Sequence, residues 1–156
     1  MSRLRSNRSD AVLLAAALLP ALSWPGLLAD EKKASPTVAC RDLASAVKQM
    51  AAEAAKFTTA EGGQSLVVNS FSGPPGAKGG AIIAQDIQAN LPKALLARPG
   101  AGAMGLIGHY RLKKDKASGA MSVIIEAQIT DSLGEPLKGL TPCLLRDAGS
   151  LKTLSK

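Results

Sequence analysis

The clearest periodic signal in the chain lies between Ala120 and Asp131, where Met121, Val123, Ile125, Ala127 and Ile129 alternate with Ser122, Ile124, Glu126, Gln128 and Thr130. A period of two is that of a strand with one face covered and the other meeting water. Leu106 to Lys113 reads as the strand before it, across a turn at Lys114 to Gly119, and Pro136 to Leu140 reads as a short last strand after the turn Ser132-Leu133-Gly134-Glu135. Upstream the period lengthens. Leu43, Val47, Met50, Ala54 and Phe57 recur at helical spacing and form one apolar stripe, while Arg41, Lys48, Gln49, Glu53 and Lys56 mostly face elsewhere. Ser35-Pro36 is the expected N-cap and first turn of this helix, and Gly62-Gly63 its stop.

Ser65 to Phe71 is β-branched, apolar and bounded by glycine and proline, as a buried strand is. A second helix is expected from about Gly80 to Leu91 with Ile83, Ile87 and Leu91 on one face, ended by Pro92, with loop at Arg98-Pro99-Gly100-Ala101-Gly102. The order is helix, strand, helix, then three strands. Strand, helix, strand implies a parallel right-handed crossover, and the short turns that follow force antiparallel pairing. The expected fold is therefore α/β (α+β): a single small domain with a mixed four-stranded sheet and two helices on one face.

The N-terminus has a different character. Arg3, Arg5 and Arg8 precede an apolar run from Ala11 to Leu19, then Pro20, the Ser23-Trp24-Pro25-Gly26 break and Leu27-Leu28-Ala29. That order is the order of a secretory signal. Residues 1–29 are read as a signal peptide cut after Ala29, 30–36 as a charged linker, 37–143 as the α/β domain and 144–156 as a C-terminal tail, either a short helix or frayed. The alternative for the first segment is an uncleaved anchor, since Ala11 to Ala29 approaches spanning length. Thr37-Val38-Ala39-Cys40 lacks the leucine expected of a lipid-attachment site and is separated from the apolar run by Asp30, Glu31, Lys32 and Lys33.

Composition limits what such a domain is made of. It is 46% hydrophobic, 20% charged and only 3% aromatic, so alanine, leucine and valine must fill the core. The formal charge is +7, and losing three arginines and one aspartate with the signal lowers it to +5, a mild excess. The two cysteines, Cys40 and Cys143, would meet an oxidising compartment on export. They form either one bridge closing a loop of roughly 100 residues or two buried thiols. No Cys-x-x-Cys redox spacing is present.

Val67-Val68-Asn69-Ser70-Phe71, an open glycine-rich loop and a helix, Leu106-Ile107-Gly108-His109-Tyr110, and a long alternating strand ending in Asp131-Ser132-Leu133-Gly134-Glu135-Pro136-Leu137 make up one pattern. Over Ser65 to Leu140 it resembles a family of exported bacterial domains. The family includes the curli-secretion channel lipoprotein, the lipoprotein activator of penicillin-binding proteins and the N-terminal domain of the Tol translocation protein. In that family an apolar-x-Gly-x-aromatic strand precedes a long strand turning at Asp-x-x-Gly. The resemblance implies a non-enzymatic domain of the cell envelope that works by contact with other proteins. No lipid-attachment cysteine opens the mature chain and no membrane-inserting hairpin is visible, so pore formation is not implied. A shared fold does not fix function.

Motifs of chemistry are absent by spacing. Gly73-Pro74-Pro75-Gly76-Ala77-Lys78-Gly79-Gly80 sits where a phosphate loop would, but its lysine is misplaced, no Ser or Thr follows it, and two prolines remove N–H donors. His109 is the only histidine, and Asp86, Asp115, Glu126, Asp131 and Glu135 lack metal-ligand spacing. No nucleophile turn and no acid to orient His109 can be read from the sequence. No catalytic residue, cofactor or metal is therefore assigned, and the protein is read as not an enzyme.

The candidate surface is the open sheet face. If Leu106, Gly108, Tyr110 and Leu112 point inward, then Ile107, His109, Arg111 and Lys113 point outward beside Ile124, Glu126 and Gln128. The reading is an exported accessory or adaptor domain, periplasmic or extracellular, that binds an envelope protein through this face. Membrane contact would come only through an uncleaved signal. Nucleic acid is not expected, because stacking needs outward aromatics and Tyr110 is assigned inward. The alternatives are a binding module for a small or polymeric anion, using Arg111, Lys113, Lys114 and Lys116, and an unrecognised hydrolase.

Overall fold

The computed structural model describes residues 36–96 and 102–156. The segment read as a signal peptide, the expected linker up to Ser35 and the expected loop at Arg98 to Ala101 lie outside the described residues. Strand β1 (Val38–Ala39) is followed by α1 (Leu43–Ala60), β2 (Leu66–Val68), α2 (Gly79–Asn90) and a 3-10 turn at Lys93–Leu95. Then come β3 (Met104–Lys114), β4 (Met121–Thr130), β5 (Pro136–Gly139), β6 (Cys143–Leu145) and α3 (Ala148–Leu154). The sheet is mixed and has six strands rather than four, in the order β1-β6-β4-β3-β2, with β5 also on β4. The β2–β3 and β1–β6 pairs are parallel, and the β3–β4, β4–β5 and β4–β6 pairs antiparallel.

The first helix begins at Leu43, not at Ser35-Pro36, because a better cap lies downstream. The Asp42 carboxylate accepts the Ser45 N–H at 2.8 Å, and the Ser45 hydroxyl accepts the Asp42 N–H at 3.0 Å. This reciprocal pair satisfies two N–H groups that no helical carbonyl can reach, and it frees Val38-Ala39 to extend as β1. The stop is where the glycines place it, with Gly62 and Gly63 at φ of 90° and 72° closing the end of α1. Along α1, Val47, Met50 and Ala54 are buried, and Leu43 and Phe57 pack at the edge of the core.

The last strand was expected to end at Leu140, but the chain makes a second segment on the same edge of β4. Gly139 pairs with Gln128 and Cys143 with Ile125, so β5 and β6 form one strand line with an extra residue between them. The break is a bulge at Leu140-Thr141-Pro142. Proline cannot donate, and the Thr141 N–H that the bulge releases donates to Glu53 of α1 at 2.8 Å. The stretch read as a short helix or a frayed tail therefore carries the end of β6, which was not expected, and a short helix, α3. Leu145 and Leu154 are fully buried, and the Ser150 hydroxyl accepts the free Leu43 N–H of α1 at 2.8 Å.

The strand expected over Ser65 to Phe71 pairs regularly only at Leu66–Val68, then leaves the ladder and rejoins it at Ser72 beside His109. Three residues on this side face two on β3, and the extra one swings Phe71 into the core at 4% exposure. The core lies between one sheet face and the helices: Leu106, Tyr110, Val123, Ile125, Ala127 and Ile129 meet the stripes of α1 and α2. A disulfide joins Cys40, just after β1, to Cys143 at the start of β6, with Cα atoms 5.6 Å apart. Such a bridge fits an oxidising compartment.

Two turn-forming carboxylates give the domain an acid limit. Asp42 is held below the usual aspartate range by the Ser45 N–H and hydroxyl, and Asp115 by the Ser118 N–H and hydroxyl and the Ala117 N–H. A depressed folded pKa adds stability that is present above the unfolded value of about 3.9 and disappears as pH falls through the folded one. Thermal melts between pH 5 and pH 2 should thus show a fall that is shallower in an Asp42→Asn/Asp115→Asn variant. Equal slopes would contradict the assignment.

Candidate functional site: the open face of the sheet

Side chains at alternate positions of β3 and β4 point away from the helices, and their register is fixed by the hairpin between the strands. Asp115 Oδ1 accepts the N–H groups of Ala117 and Ser118 at 3.0 and 2.7 Å, which closes that turn. The resulting cross-strand pairs are Ile107 with Gln128, His109 with Glu126, Arg111 with Ile124 and Lys113 with Ser122. All seven residues expected on this face are brought together on it. Ile124 is the exception in availability: it is only 7% exposed, flanked in register by Arg111 and by Leu144 of β6. It supports the face rather than offering contact surface.

Glu126 is the electrostatic centre of the face. Its carboxylate meets His109 Nε2 at 2.6 Å and Arg111 at 3.3 Å, with side chains 30%, 54% and 60% exposed respectively. Exposed pairs of this kind contribute about 0–1 kcal/mol each to stability. Their effect is on the surface, where the one acid offsets the charge of Arg111 and leaves Lys113 outside the cluster. The orienting acid for His109, not readable from the sequence, is therefore present. The hydroxyl adjacent in register, Ser72, donates to the Gly108 carbonyl at 3.4 Å.

Of the residues considered for anion binding, Arg111 and Lys113 lie on the open face. Lys114 has the opposite parity on β3, opposite Met121, and Lys116 sits in the turn. The residue that sequence reading missed is Arg146. It follows β6, whose outward Leu144 pairs with Ile124, and it shares a depression with Lys113, Asp115, Ser122 and Leu144. Its charge adds to the lowering of the Asp115 pKa. The signal for β6 was faint, three residues directly behind a proline.

Tyr110 is 2% exposed and faces the core, as its alternation requires. Its hydroxyl has no hydrogen-bond partner although the Gly79 amide is near, and burial pushes its pKa above the ordinary phenol value. The glycine-rich loop packs against this ring. A Cβ on Gly73 would stand 2.2 Å from the Tyr110 ring, and one on Gly80 would stand 1.7 Å from the Phe71 carbonyl oxygen. The glycines are thus accounted for by close packing of backbone and rings.

No family model, curated protein or solved structure matches this chain.

Proposed function

We propose that this protein is an exported, non-enzymatic adaptor of the cell envelope that binds another envelope protein through the open face of its sheet. The observation that carries the reading is the one-sided architecture. The helices pack on one face, and the other presents half-buried Ile107 and Gln128 next to the His109–Glu126–Arg111 cluster. Mixed apolar and paired polar surface of this kind suits a protein contact. The export part is supported by the basic-then-apolar leader and by the Cys40–Cys143 bridge. The envelope part is supported by the resemblance over Ser65 to Leu140, whose Asp-x-x-Gly turn closes on Asp131 Oδ1 through the Leu133 and Glu135 amides at 2.8 Å each.

The test is a photo-crosslinking residue at Gln128 in tagged protein, activated in intact source cells, with a secreted control protein alongside. One recurrent envelope partner is expected, and it should be lost with Ile107→Glu. Failure to enrich any protein over the control would overturn the reading.

A further inference from the structure

At the hairpin end of the open face lies a depression of about 260 Å3 whose walls include Lys113 from β3, Arg146 from beyond β6, Ser122 and Asp115, with Leu144 as apolar surface. We propose that this depression is a carboxylate-reading subsite, occupied by an acidic, extended segment of the partner polypeptide. The inference rests on the sheet-face contact proposed above and gives that contact its chemistry.

Charge distribution along the face makes the argument. Among the described residues, His109 and Arg111 are both engaged by Glu126, whereas neither Lys113 nor Arg146 has a salt-bridge partner. Two cations from separate stretches of chain therefore share one concave place with a single carboxylate, Asp115, which leaves a net positive charge there. Asp115 lines the same depression: its Oδ1 takes the Ala117 and Ser118 amides and the Ser118 hydroxyl, which hold it in the turn, and its negative charge offsets one of the two cations.

An arginine and a lysine together suit a carboxylate, the first through its fork and the second as a point charge. The apolar part fits the stem that carries such a group, since outward Leu144 is half-buried and lies in the same depression. From Lys113 the face continues along β3 to Ile107, a straight path for an extended segment. A lipid surface or a long polyanion draws on many unpaired cations spread over a wide surface, and here the net positive charge of the face, two cations against Asp115, is gathered at one end.

The experiment is fluorescence anisotropy of the full mature domain with a labelled Glu-Leu-Glu-Leu-Glu peptide and its Gln-for-Glu counterpart. Proteins compared are wild type, Lys113→Gln/Arg146→Gln, and Lys152→Gln on α3 as control, each checked for an unchanged melt. Binding of the acidic peptide should weaken by about tenfold or more in the double variant and also with added salt. The control should bind as wild type does, and the Gln peptide should bind to neither.

Equal binding by the double variant, or none by wild type, would overturn the subsite. So would tighter, equally Lys113/Arg146-dependent binding of heparin or anionic vesicles, which would assign the charge to a polyanion or a membrane. The two proposals fail separately. A cross-linked partner retained by the double variant, with peptide binding unchanged, removes the subsite and leaves the sheet-face contact. No cross-linked partner for wild type removes the contact, and the peptide titration still decides the subsite.

Discussion

Replacing Gly80 by alanine is expected to destabilise the domain by about 3 kcal/mol or more. A Cβ there would stand 1.7 Å from the carbonyl oxygen and 2.8 Å from the carbonyl carbon of Phe71. Both atoms are backbone, so no rotamer change relieves the clash. Either α2 must lift from the end of β2 or Phe71 must leave the core, and with it goes the Phe71 N–H contact to the Gly80 carbonyl at 3.4 Å. Gly139→Ala is the matched control, because a Cβ at that position of β5 meets nothing within 4 Å. It should change stability by less than about 0.5 kcal/mol. Urea unfolding of both variants, with the disulfide intact, checks the pair, and equal midpoints would show that the close approach at Gly80 has no structural weight. A second consequence concerns the glycine-rich loop. Its composition invited a phosphate-binding reading, whereas the packing calls for a residue without a side chain.

Removing the disulfide should have an effect of similar size. In a Cys40→Ala/Cys143→Ala variant the unfolded chain regains the freedom of a loop with a sequence separation of 103. The chain-entropy argument gives about 4–5 kcal/mol for such a loop, and measured losses for small secreted domains run about 2–5 kcal/mol. For a domain of this size that corresponds to a drop in Tm of about 10–20 °C. Calorimetry of the variant against wild type is the check, and wild type under reducing conditions should approach the variant. A Tm unchanged within a degree or two would mean that the β1–β6 seam holds without its bridge.

The parts of the molecule legible in the sequence were those whose order is local. Alternation through Met121 to Thr130, with turn residues at both ends, settled which side of β4 faces the helices, whereas the pairing of His109 with Glu126 depends on the exact hairpin register and came only with the structure. The Val47, Met50 and Ala54 stripe did the same for α1. Elements defined by distant partners were not legible. A two-residue β1 and a three-residue β6 have too little sequence for any period, and they exist because each covers the other's open edge. Arg146 was lost to the site for the same reason. The start of α1 was misplaced although its signal was present, since Asp42 stands three residues before Ser45 as a capping pair requires. Ile124 was rightly placed outward, but its burial depends on Leu144, which only β6 brings alongside.

The parallel seam between β1 and β6 also sets an order of events. The β3–β4 hairpin and the two turns that serve β4 join neighbours in sequence and can form as soon as they are made. β1 has no partner until residues 143–145 have emerged, because Val38 and Ala39 pair with Cys143 and Leu144. The first strand among the described residues is thus the last to be placed, and Cys40 must wait through almost the whole length of the domain before its mate arrives. An oxidant that acts before that moment finds a single exposed thiol, so productive folding depends on oxidation following synthesis of the C-terminus.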